Sequence, residues 1–108
     1  MALQAVTDST FKALVLDKKD KYVLVDFWAE WCGPCRMVGP VLEAVSKTLA
    51  DQLEILKLDT DSNPMTAQEF HISSIPCNIL FKNGQEVHRI IGFKPQAAFE
   101  AEIKQYLI

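Results

Sequence analysis

Apolar residues along the chain fall into two kinds of pattern, continuous short runs and runs spaced every three or four positions. Tyr22–Ala29 (YVLVDFWA) is almost continuously apolar and rich in strand formers, as a central strand covered on both faces should be. Leu53–Asp59 (LEILKLD) reads as a second strand. Between them Val38, Val41, Leu42, Val45 and Leu49 recur at helical spacing, with Pro40 inside the pattern as an expected kink. Thr7–Ser9 offer caps ahead of Phe11, Leu14 and Val15 and predict a short amphipathic α-helix, preceded by a strand near Leu3–Val6. Asn63-Pro64 reads as a helix cap followed by a first-turn proline, opening a short helix that ends near Phe70. Asn78–Lys82 and Glu86–Ile91 are strands joined at Asn83-Gly84, a strong hairpin signal. Pro95 opens a last helix whose Phe99, Ile103, Tyr106 and Leu107 share a face.

Alternating helices and strands followed by a hairpin give an α/β fold: a mixed sheet with helices on both faces and right-handed crossovers. At 108 residues and 49% hydrophobic content, one domain spanning 1–108 is expected. A domain of that size buries about two-thirds of its unfolded surface without needing staples. The net charge of −3 gives no electrostatic reason to bind nucleic acid or an anionic membrane. No stretch approaches the roughly 18 apolar residues of a membrane span. Met1–Thr10 carry no Lys or Arg and no long apolar run, so no secretory signal is expected and a cytoplasmic location is.

In a reducing compartment three cysteines do not make a disulfide framework. Cys32 and Cys35 form one CxxC pair and Cys77 stands alone. A structural zinc site would want a second ligand pair, and Cys77, His71 and His88 do not supply one at recognisable spacing, so no metal is expected. The placement of Cys32-Gly33-Pro34-Cys35 between a buried strand and a helix points instead to redox chemistry. A helix start favours negative charge and therefore a thiolate. Cys32, at the edge of the turn, is expected to be the more exposed and acidic thiol, with Cys35 covered by the first helical turn. Gly33 and Pro34 make a short, stiff connector. Cys32 would attack a substrate disulfide, and Cys35 would then resolve the mixed disulfide.

Asp26 interrupts an apolar strand, where burial raises a carboxyl pKa and suits it to exchange a proton with Cys35. Lys57 interrupts the next strand in the same way, so mutual contact is expected. A plain buried ion pair kept for structure explains these two residues equally well at this level. Trp28 and Trp31 read equally as aromatic packing, with Trp28 supporting the site from within the strand. His71 and His88 receive no role, and Phe93 needs none.

The stretch VDFWAEWCGPCRM, with Pro40 following and Pro76 and Gly92 downstream, resembles the thioredoxin family over essentially the whole chain. The resemblance implies a sheet of four to five strands flanked by about four α-helices. It implies that Cys32 is the nucleophile, Cys35 the resolving thiol and Asp26 the buried proton-exchange group, with Lys57 modulating it. It further implies a cis Ile75–Pro76 bond, although only about one X–Pro bond in twenty is cis. Backbone before Pro76 would pair with an extended substrate, and Trp31, Gly33, Pro34, Ile75, Pro76 and Gly92 would form a flat docking surface. The implied activity is protein disulfide reduction by a monomer with no bound cofactor. NADPH would supply electrons through a separate flavoprotein of the thioredoxin reductase type, and the substrates would be disulfide-containing proteins. The chain itself has no dinucleotide-binding glycine fingerprint.

An oxidant or isomerase and a non-catalytic binding module are the competing readings; Gly-Pro between the cysteines resembles the reductases. Ser74 stands where the family generally has glycine or a variable residue, and Cys77 where threonine is common. Both bear on substrate preference. Cys77 reads either as a regulatory thiol or as a small hydrophobe in a packed strand, and the absence of a neighbouring Lys, Arg or helix start in sequence favours the second.

Overall fold

The computed structural model describes residues 3–107. The apolar run at its centre forms a strand flanked on both sides by others, and every residue from Tyr22 to Phe27 is buried. In chain order the strands are β1 (Gln4–Ala5), β2 (Tyr22–Trp28), β3 (Leu53–Asp59), β4 (Cys77–Lys82) and β5 (Gln85–Ile91). They assemble as β1-β3-β2-β4-β5. β3 lies parallel to both β1 and β2, while β4 is antiparallel to β2 and β5 to β4, giving the expected mixed sheet.

Alternation along β2 divides the core. Tyr22 and Leu24 join Leu53, Ile55, Leu80 and Ile90 against the buried side of α1 (Gly33–Thr48) and α3 (Gln96–Lys104). Val23, Val25 and Phe27 face the other way, toward Phe11, Val15 and Phe70. Burying a side chain of this size stabilises the fold by about 1.5–3 kcal/mol, so the two layers hold the sheet from both sides. α1 runs through Pro40 without interruption.

The first predicted helix departs from expectation. Lys12–Leu16 is a π-helical segment, closed by the Asp17 amide on the Lys12 carbonyl at 2.8 Å. Thr7, Ser9 and Thr10 bond to one another at 2.9–3.1 Å instead of capping a regular helix. The segment ends against the β4–β5 turn, where a Cβ added to Gly84 would lie 2.5 Å from the Leu16 carbonyl oxygen.

The short α2 (Pro64–Glu69) begins at Pro64 as expected, but Asn63 makes no side-chain cap on it. Asp8 does so from the N-terminal segment, accepting from the Met65 and Thr66 amides at 3.2 and 2.9 Å and from the Thr66 hydroxyl at 2.6 Å. Asn63 Oδ1 in turn accepts the Asp8 amide at 2.8 Å. The hairpin turn has positive φ at both Asn83 (52°) and Gly84 (78°), the type I′ geometry its sequence predicts. Leu80 pairs with His88 but Phe81 with Glu86, so Val87 is bulged.

Candidate active site

β2 ends at Trp28, and the Cys32 amide folds back onto the Ala29 carbonyl at 3.1 Å to start α1. Cys32 is therefore the N-cap: its backbone is extended and its sulfur accepts the Cys35 amide at 3.2 Å. Pro34 fits the first turn, where a missing N–H costs nothing. Cys32 and Cys35 are joined in a disulfide, with Cα atoms 5.3 Å apart. The helix-start amide of Cys35 aimed at Cys32 Sγ is what a sulfur anion requires.

The expected difference in exposure between the two cysteines is absent from this disulfide form. Cys32 is 4% exposed and Cys35 6%. Both pack with Ala29 beneath Trp28 and Ile75, and the Ile75 carbonyl oxygen lies 3.7 Å from Cys32 Sγ. What separates them is position on the helix: Cys32 Sγ receives an amide, whereas Cys35 lies inside the first turn.

Asp26 sits one pleat before Trp28 on the same face of β2, opposite Lys57 on β3 and Asn78 on β4. It is 5% exposed, and its Oδ1 has no hydrogen-bond partner. Burial pushes its carboxyl up to about 7, against the opposing pull of the Lys57 charge and of the Asn78 side chain. No plain ion pair forms here: among the described residues Lys57 makes no ion pair within 4 Å, and its Nζ lies over the Trp28 ring, 5.2 Å from the centroid. Asp26 and Cys35 line one cavity of about 170 Å³, with Trp28, Lys57 and Arg36 also in its wall. A carboxyl group able to hold a proton near neutrality thus shares a partly open cavity with the inner cysteine.

Around the disulfide the surface is apolar and open. Trp31 is 69% exposed, its indole N–H donating to Asp61 at 2.9 Å. Gly33 and Pro34 are exposed, Ile75 is half-buried and Pro76 is buried. The Ile75–Pro76 bond is cis, as the resemblance implied. The Gly92 amide donates to the Pro76 carbonyl at 2.8 Å, tying the two loops together, and its φ of 89° needs glycine. A Cβ at Gly33 would meet nothing within 4 Å, so neither packing nor φ demands glycine there.

Cys77 is 1% exposed, opposite Phe27 on β2 and Ile91 on β5. Burial raises its thiol pKa despite a neighbour invisible in sequence, the Arg89 guanidinium. That guanidinium is itself held by both Glu86 oxygens at 2.7 and 2.8 Å. His88 bonds Glu102 at 2.6 Å and stacks on Tyr106, away from the cysteines' cluster, and His71 is exposed after α2. Asn78, Asp61 and Arg89 were absent from the sequence expectations. Only Asn78 left a signal, as a polar residue interrupting a buried strand like Asp26.

The thioredoxin family model matches residues 2–105. The chain belongs to the thioredoxin family. A thioredoxin of Porphyra purpurea is 43% identical over 107 residues, covering 99% of each chain. One from Mycobacterium bovis is 54% identical over 98 residues, 91% of this chain and 84% of its own. A bifunctional thioredoxin reductase/thioredoxin of Mycobacterium leprae is 56% identical over 93 residues, 86% of this chain but 20% of that longer protein. The five-stranded sheet and the CxxC disulfide at the start of α1 are thus those of a thioredoxin domain.

Proposed function

We propose that this thioredoxin domain, 1–108, is a protein disulfide reductase that cycles between a Cys32/Cys35 dithiol and the disulfide described above. The observation that carries the reading is the Cys35 amide donated to Cys32 Sγ at the start of α1. Cys32 thiolate attacks one sulfur of a target disulfide, and the other target sulfur leaves as a thiolate and takes a proton. Cys35, losing its proton to Asp26 across their shared cavity, then attacks Cys32 Sγ. That step expels the second target thiolate and forms the Cys32–Cys35 bond, so two electrons have passed to the target. Lys57 tunes Asp26, and Trp28 supports both.

Targets dock as extended segments along the backbone before cis-Pro76, over Trp31, Gly33, Pro34, Ile75 and Gly92. The empty space over Gly33 supports this, because it leaves room for an incoming chain. Electrons return from NADPH through a separate flavoprotein reductase; the bifunctional thioredoxin reductase/thioredoxin of Mycobacterium leprae supports the reductase partner alone. The protein works as a cytoplasmic monomer, where a buried free thiol such as Cys77 stays reduced. The test is insulin reduction with NADPH and a thioredoxin-reductase-type flavoprotein. Turbidity should develop with the native protein and not with Cys32→Ser, and equal rates for the two would overturn the reading.

A further inference from the structure

Lys57 and Asp26 are register partners on adjacent parallel strands, close enough for a four-carbon stem to bring ammonium to carboxylate. The ammonium is elsewhere. It lies 5.2 Å from the centroid of the Trp28 ring, and Asp26 Oδ1 is left buried with no partner. A cation over an indole face is attracted by the ring quadrupole, the more so when partly shielded from water. Trp28 reaches this position because it follows Asp26 by two residues and so shares its face of the sheet. Its own indole N–H is buried and unpartnered, so a hydrogen bond is not what holds the ring in place.

We propose that Trp28 is a positioning residue that holds the Lys57 ammonium on its ring face and off the Asp26 carboxylate. The proton-exchanging carboxyl is thereby kept without a direct counter-ion. This deepens the reductase reading, since it rests on Asp26 as proton acceptor. The other charged or titratable groups lining the cavity with Asp26 are Cys35, Arg36 and Glu43, all from α1; from β4, polar Asn78 lies opposite it and the buried Cys77 thiol feels its charge. Without the ring, Lys57 is free to close on Asp26 and favour its charged form.

The test is a double-mutant cycle on the oxidised protein, with the Asp26 carboxyl carbon followed by NMR across pH. Trp28→Leu should lower the Asp26 midpoint by about one unit, a tenfold change in proton affinity. Trp28→Phe, which keeps an aromatic face, should move it by less than half as much. In a Lys57→Met background Trp28→Leu should have little effect. A fall of equal size with and without Lys57 would mean that Trp28 only keeps water from Asp26, and would overturn the proposal. A rise on Trp28→Leu, or no change, would overturn it too. Because no substrate takes part, the result stands apart from the insulin assay: reductase activity can fail while the cycle succeeds, and the reverse.

Discussion

Replacing Asp26 by alanine should stabilise the protein above neutral pH and change it far less in acid. The carboxyl has an ordinary value of 3.8 and is pushed up to about 7 in the folded chain, chiefly by burial. Well below pH 3.8 folded and unfolded forms both hold the proton, and the residue adds no pH dependence. Between 4 and 7 the unfolded chain releases the proton while the folded one keeps it, so stability falls as pH rises. At 1.36 kcal/mol per unit over roughly three units, the loss is about 4 kcal/mol, complete above pH 7 and flat beyond. Alanine removes that slope and leaves only a pH-independent offset for lost contacts. Urea melts of the oxidised native and Asp26→Ala proteins from pH 4 to 8.5 check this. The variant's relative stability should climb by about 4 kcal/mol over that range. A constant difference, or a native protein that gains on the variant as pH rises, would show that Asp26 is well paired and charged.

Asp26→Ala should also slow insulin reduction at neutral pH, most where the Cys35 proton must leave during turnover; an unchanged rate would remove Asp26 from the proton path. Gly84→Ala should cost roughly 2–3 kcal/mol in a urea melt, because φ is +78° and the new methyl meets the Leu16 carbonyl. Cys77→Thr should leave reductase activity and its inhibition by peroxide unchanged, and Cys77 should alkylate slowly in the oxidised protein, since it is buried and its thiol pKa is raised. Fast labelling with a loss of activity that the threonine variant escapes would identify a regulatory thiol.

Features written in local pattern were legible in the sequence. The β2 run, the helical spacing after Cys35, and Asn83-Gly84 each specify their element within a few residues, and the structure has all three. A charged residue in each of two buried strands placed Asp26 and Lys57 together, and register confirms them as partners. Features made by contacts distant in sequence were not legible. Asp8 caps helix amides 57 and 58 residues away, the π-helical segment ends against the hairpin turn, and Arg89 reaches Cys77 across β4–β5. The Lys57 ammonium on Trp28, rather than on Asp26, belongs to the same class: spacing brings three side chains to one face but does not say which two meet. The cis bond before Pro76 came from family resemblance, because local sequence physics favours trans. Exposure of the cysteines failed for another reason, their burial in one cluster with Ala29 against which Trp28 and Ile75 pack.

The assignment of attack to Cys32 and resolution to Cys35 is tested most directly by trapping. Each single serine variant is reduced, mixed with a disulfide-bonded protein substrate, and read by non-reducing gel and mass spectrometry. Cys35→Ser should accumulate a covalent complex through Cys32, released by dithiothreitol, because the helix-start sulfur still attacks and nothing resolves the product. Cys32→Ser should form little or none. A complex trapped through Cys35 in the Cys32→Ser variant, with none in Cys35→Ser, would contradict the account.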